Sequence, residues 1–464
     1  MVEHYVRQNK QIVAICQDSD NAALDLPVWS KLTVKRYSGN HSASDHSFYA
    51  QSILSNSVKV RAILTELKTQ GFYPDFCLAH IGFGDSLFVK DVFPDTLFIA
   101  YCEYYYQANG LDAGFDPEFS MAEPEALDIK TPNAYTLLAL NDADAAISPT
   151  HWQKNLFPAP YHSRIEVIHE GVDIDLCRPS KQACFMLPNG KSLRHGDEVL
   201  TYATRNLEPY RGFHQFMRAA AILMSRRPKL QVVVAGGDEV SYSTRLANGQ
   251  TYRERMMAEV DIDVSRIHFV GSLSFEHYCV LLQVSAVHVY LTIPFVLSWS
   301  LLEAMASQCA LVASDTAPVK ELLRDGYNAL LVNFFVPSQM AAQIERLLND
   351  PFLRKNLSVN ARRTIVESYD REQMVKQYDA FFNRIKPHYF PSPIGSIGIY
   401  TSTSPFSLEG EGWDEGDING CFYSPHPNPL HQEREPSRLA THCIYNTKKL
   451  CRYLCIGRGL GHSK

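Results

Sequence analysis

Between residues 199 and 332, short runs of apolar and β-branched residues recur, most of them followed by a stretch with helical spacing. Strand-like runs fall at 199–203, 230–235 (LQVVVA), 267–270, 287–291 (VHVYL), 310–314 (ALVAS) and 329–332, with helical stretches at 213–224, 275–282, 300–307 and 319–324. A strand that is apolar along its whole length needs cover on both faces. Strands alternating with helices are joined by crossovers into a parallel sheet. A looser version of the pattern runs through 11–16 (QIVAIC), a helical stretch at 58–70, 75–80 (DFCLAH), 97–102 (LFIAYC), 145–148 and 165–168 (IEVI). The expected fold is α/β. Two doubly wound, Rossmann-like parallel-sheet domains, 1–175 and 176–386, face a cleft, and a last helix at 371–385 returns to the first domain. The tail 387–464, rich in Ser, Pro, Gly, His and Asn, is expected to be disordered because it cannot bury enough apolar surface.

A length of 464 residues fits two or three domains. A net charge of −6 gives no electrostatic reason to expect nucleic acid as a partner. No apolar run is long enough to cross a bilayer. The first ten residues lack the apolar centre of a signal peptide, so a cytoplasmic protein is expected, with peripheral contact at the inner membrane face left open. The eleven cysteines are scattered. Cys16, Cys77, Cys102, Cys279 and Cys309 lie in strand- or helix-like stretches and read as free thiols of a reducing compartment. His442, Cys443, Cys451 and Cys455 have no standard zinc spacing, and no metal site is expected.

Open parallel sheets bind ligands at the carboxyl ends of their strands. At the first such end, Thr204 to Gly212 carries Arg205 and Arg211 six positions apart, then a glycine, then a helix. Guanidinium forks suit a diphosphate, although solvated surface arginines would give the same string. At a second end, Pro294 to Ala306, either Ser298 or Ser300 is a competent N-cap, and the first-turn amides favour an anion. Glu303 sits in an otherwise apolar stretch and needs a partner, either a ribose diol or a nearby arginine. Ser314 to Glu321 and Ala235 to Asp238 are two further strand-end turns on the same sheet.

The segments ATRNLEPYRGF, VVVAGGD, IHFVGSL and SLLEAMASQCALVASDTAPVKELLRDGYNALLV, with VIHEGVDIDLCRP before them, resemble in order and spacing glycosyltransferase family 4 (group 1), whose members have the GT-B fold. The likeness covers 167–385 and, more loosely, 11–148. It implies an enzyme that moves a sugar from a nucleoside-diphosphate sugar to a glycan, lipid-linked or small-molecule acceptor, as in polysaccharide biosynthesis. Such enzymes retain the anomeric configuration and need neither metal nor cofactor. By position, the resemblance assigns Arg205, Arg211 and Gly212 to the donor diphosphate and Glu303 to the ribose. Phe295, Val296, Leu297 and Ser298 would face the donor sugar and phosphate, and Gly271, Ser272 and Leu273 the base. The first domain would take the acceptor.

Three departures from the family accompany it. Lysine is commoner than arginine at position 211. The family's two glutamates eight apart are here Phe295 and Glu303. The family also opens with a strand and a glycine-rich turn ahead of the strand that QIVAIC matches, whereas ten residues precede that strand here. A shortened first domain, lacking a central strand, is therefore expected. For the acid–base residue of the first domain, Glu103 and His80 are the candidates, each with a plain structural alternative. A nucleotide-sugar-binding protein without turnover and a nucleotide-sugar epimerase are the rival readings.

Overall fold

The computed structural model describes residues 4–5, 8, 10–18, 32–38, 46–107, 111–112, 114–119, 130–385 and 453–457. The first domain is built on β1 (Ile12–Asp18), β2 (Leu32–Ser38), β3 (Pro74–His80), β4 (Leu97–Tyr101), β5 (Ala145–Ser148) and β6 (Ile165–Val167). Helices α1 (His46–Thr69), α2 (Lys130–Asp142) and α3 (His151–Leu156) belong to it. Strands β3 and β4 are buried almost throughout, as their apolar sequences require.

The second domain begins with a small antiparallel pair, β7 (Cys184–Met186) and β8 (Ser192–Arg194). Its sheet holds β9 (Val199–Asn206), β10 (Gln231–Gly237), β11 (Ile267–Gly271), β12 (Val287–Tyr290), β13 (Leu311–Ser314) and β14 (Leu330–Val332). The spatial order is β11-β10-β9-β12-β13-β14, and every pairing is parallel. The helices are α4 (Phe213–Arg226), α5 (Tyr252–Glu259), α6 (Phe275–Val284), α7 (Trp299–Ala306), α8 (Ala317–Leu322) and α9 (Pro337–Asn349). Chain order reverses between β9 and β12, so the carboxyl ends of those two strands flank the switch-point crevice.

Two more helices follow, α10 (Pro351–Ser368) and α11 (Arg371–Ile385). Helix α11 packs on the first domain. Tyr378, Phe381 and Phe382 are buried in that domain's core, and the Tyr378 hydroxyl donates to the Ile168 carbonyl at 3.3 Å.

The first sheet contains one strand from the C-terminal segment. Between β1 and β3 lies β15 (Tyr453–Gly457), antiparallel to both in a sheet that is otherwise parallel, giving the order β2-β1-β15-β3-β4-β5-β6. Five residues of the tail thus form a strand. The backbone groups that β1 and β3 turn toward each other need partners, and a short apolar segment in the gap provides them. His442, Cys443 and Cys451 lie outside the described residues. Cys77 is buried, and Cys102, Cys279 and Cys309 are buried free thiols. No helix among the described residues is long and apolar enough to cross a membrane.

The switch-point strand β12 also buries His288 completely, its Nδ1 2.8 Å from the Thr201 hydroxyl. Burial lowers its pKa to about 3. The unfolded chain takes up a proton below about pH 6.5, and the folded chain does so only below about pH 3. Stability is therefore expected to fall as pH drops through that window, by up to about 1.4 kcal/mol per unit. His288→Asn, which keeps a neutral side chain, should flatten this part of a urea-denaturation profile. An unchanged slope would show that His288 stays neutral in the unfolded chain too, or titrates freely when folded.

Candidate active site

Strand β9 delivers Thr204 and Arg205 to its carboxyl end, and a single 3-10 turn, Pro209–Arg211, then places Arg211. Gly212 follows with φ 68°, a left-handed conformation suited to glycine, and caps α4. A Cβ there would stand 2.7 Å from the Leu291 side chain. The tight turn folds Arg211 inward until it is 5% exposed. Its Nη1 donates to the Thr292 hydroxyl at 2.8 Å and to the Val296 carbonyl at 3.2 Å. The guanidinium lies 5.6 Å from the Tyr242 ring centre and 5.7 Å from that of Phe295. Arg205 is also desolvated, which lowers its pKa, while Tyr242 and Glu208 act the other way.

Both arginines line one pocket, together with Thr204, Tyr242, Tyr290, Ser298 and Ser300. Ser298 is the N-cap of α7, accepting from the Ser300 amide at 3.2 Å, and the two hydroxyls touch. The Ser298 amide itself donates to the Tyr290 hydroxyl at 3.0 Å. The sequence thus pointed to residues from two distant segments that the sheet brings together.

Other expected residues stand apart. Glu303 lies one turn past Ser300, 1% exposed, outside the pocket lining and beside Tyr278, whose pKa it helps burial to raise. Phe295 is wholly buried in an aromatic cluster, 4.7 Å from Tyr104 and 5.4 Å from both Tyr210 and Tyr242. Leu297 is buried in the helix-side core, and Val296 contributes its carbonyl to Arg211. Gly271 ends the edge strand β11, Ser272 and Leu273 follow it, and none of the three lines the pocket.

In the first domain, β3 and β4 bring His80 and Glu103 together, with Nε2 to Oε2 at 3.1 Å and both side chains 5% exposed. The Gly82 amide donates to His80 Nδ1 at 3.1 Å, so the ring proton sits on Nε2 and is donated to Glu103. The next strand end adds groups that the sequence reading overlooked. The Tyr101 hydroxyl donates to Glu170, and His169, held by the Gly171 amide at 2.9 Å, stands edge-on to Trp299 at the start of α7. His169 and Glu170 were legible only as part of an inter-domain turn.

The two domains meet around the pocket. The Tyr104 hydroxyl reaches the Pro294 carbonyl at 3.4 Å, and Asp112 accepts from the hydroxyls of Tyr104 and Tyr210, one from each domain. Asp116 meets the buried His214 at 2.9 Å, and Glu118 pairs with Arg218 and Arg255 at 2.9 Å each. From the other side, Glu321 accepts the His151 and Trp152 amides at the start of α3, each at 2.7 Å.

Comparison with known proteins matches the same two halves. Residues 8–177 match the family model described as glycosyl transferase family 4 group, and residues 189–364 match that of glycosyl transferases group 1. The chain thus carries two glycosyltransferase-family domains, the second of them of group 1. Within that family, EpsD of Bacillus subtilis, named as a glycosyltransferase, is 29% identical over 226 residues, 47% of this chain and 56% of EpsD. The chain thus spans little more than half the length of this curated relative. Among solved structures, sucrose-phosphate synthase from Thermosynechococcus elongatus aligns with TM-score 0.59 at 17% identity, covering 80% of this chain and 86% of that one. Anabaena HepE, solved in complex with UDP-glucose, aligns with TM-score 0.56 at 14% identity, covering 81% and 100%. At such identities the likeness is one of fold, and the fold is GT-B.

The docked segment 114–119 of this glycosyltransferase-family chain yields a test. Glu118→Ala removes both of its ion pairs, and amide exchange at 115–119 is expected to quicken about fivefold, equivalent to about 1 kcal/mol. Unchanged exchange would mean that aromatic packing alone holds the segment.

Proposed function

We propose that this protein is a retaining glycosyltransferase that moves a sugar from a nucleoside-diphosphate sugar to a glycan, lipid-linked or small-molecule acceptor in polysaccharide or glycan biosynthesis. The observation that carries the reading is the convergence of Arg205, Arg211 and the α7 cap residues Ser298 and Ser300 on one pocket at the switch point of a parallel sheet. A nucleoside diphosphate leaves with concentrated negative charge. Two fixed guanidiniums in a desolvated site stabilise that charge as it develops, and they do so without a metal. HepE, whose fold this chain shares, binds UDP-glucose, which favours the same donor class here.

In this reading the ribose reaches Glu303 when α7 and the nucleotide adjust to each other, and Gly271 to Leu273 border the base. Phe295 and the Val296 to Ser298 backbone border the donor sugar. The acceptor enters from the first domain, where the Glu103 carboxylate, oriented by the His80 Nε2–H, supplies a proton acceptor. Retention requires attack from the leaving-group side. Tyr104, Asp112 and Phe295 link the two domains beside the pocket, and in this reading substrate enters when the domains part. We place the reaction in the cytoplasm or at the inner membrane face.

A thermal-shift panel of UDP, GDP, ADP and dTDP tests the donor class, since a ligand of the folded state alone raises the melting temperature. One diphosphate is expected to stand out. Arg205→Ala should then lower turnover on the order of a hundredfold, and a chelator should leave it unchanged. Full activity in Arg205→Ala would end the proposal. Phe295, in the family's glutamate position, favours one alternative, a nucleotide-sugar-binding protein. Diphosphate binding without transfer to any acceptor would select it, and an epimer in the product spectrum would select an epimerase.

A further inference from the structure

Glu208 stands between the two arginines in sequence, and it is fully buried. Its Oε2 accepts from three consecutive backbone amides: Ser241 at 3.1 Å, Tyr242 at 3.0 Å and Ser243 at 2.9 Å. Those residues belong to the loop after β10, more than thirty positions away. Convergent amides around one carboxylate oxygen fix a loop's backbone far better than neutral side-chain contacts do. Asn206 adds a bond to the Ser241 hydroxyl at 2.7 Å, and the Tyr252 hydroxyl holds the Thr244 carbonyl at 2.7 Å.

The loop seated this way presents Tyr242 to the pocket. The Arg211 guanidinium donates to the Tyr242 hydroxyl and lies over its ring. Thr292 and the Val296 carbonyl hold the same guanidinium from the opposite strand end. Tyr242 is thus one jaw of the clamp that aims Arg211, and Glu208 is what keeps that jaw in place.

We propose that Glu208 is a positioning residue, which seats residues 241–243 so that Tyr242 holds Arg211 at the angle at which it meets a diphosphate. This rests on the diphosphate reading of the pocket. It goes beyond that reading in giving a buried acid, one that touches no substrate, control over phosphate affinity.

The test is calorimetric titration of the full chain with inorganic pyrophosphate, with the nucleoside diphosphate that gives the largest thermal shift, and with its nucleoside. Glu208→Ala and Tyr242→Phe should each weaken diphosphate binding about fivefold or more and leave nucleoside affinity unchanged. Adding Tyr242→Phe to Glu208→Ala should cost little further, because both act on one contact. Glu208→Gln, whose carbonyl oxygen takes the place of Oε2, should stay within about twofold of the native chain. Native diphosphate affinity in Glu208→Ala would overturn the proposal, and so would equal losses for nucleoside and diphosphate. If Glu208→Ala does not fold, Tyr242→Phe decides, and native affinity there overturns it. Arg211→Ala separates the two readings. If that variant keeps full diphosphate affinity, or if the native chain binds no diphosphate, the pocket reading itself falls and this proposal falls with it. If Arg211→Ala binds weakly while Glu208→Ala and Tyr242→Phe do not, only this proposal fails.

Discussion

Arg211 is a cation carried into the protein interior, and much of the second domain is arranged around that fact. A buried guanidinium is costly unless its donors are met. Here Thr292, the Val296 carbonyl and Tyr242 meet them, with Glu208 nearby as counter-charge. These partners come from the ends of β12 and β10 and from the turn after β9, so the sheet must be assembled in its switch-point order before the cation is satisfied. The left-handed Gly212 makes the inward turn sterically allowed. Fold and charge therefore hold each other in place.

The same neighbourhood joins the domains. Phe295 packs on Tyr242 from its own domain and on Tyr104 from the other. Asp112 is shared by tyrosines of both domains, and Asp116 finds His214. The diphosphate proposed for this pocket would couple its binding to domain closure, because the pocket abuts this interface. Closure in turn excludes water, which strengthens the guanidinium fields.

The C-terminal sheet was readable because it is buried on both faces. Its strands are mostly apolar, and most of its helices start on a recognisable cap or glycine. Arg205, Arg211, Ser298 and Ser300 could be found because strand ends in such sheets are where ligands bind. Strand β2, with Lys35 and Arg36 partly exposed, lacked that apolar signature, and the β7–β8 pair alternates exposed with buried residues over three positions only. Glu208 looked like any loop carboxylate. Its importance comes from three amides donated by a loop that nothing local connects to it.

Local chemistry therefore settled what depends on neighbours along the chain: apolar period, caps, the turn at Gly212, and which strand ends carry cations. Long-range packing alone decided the rest. It packed Phe295 into an aromatic cluster, buried Glu303 one turn past Ser300, joined His80 to Glu103, and put the strand at 453–457 between β1 and β3. The physical reason is that burial, hydrogen-bond partners and sheet register are properties of surfaces that meet only after folding.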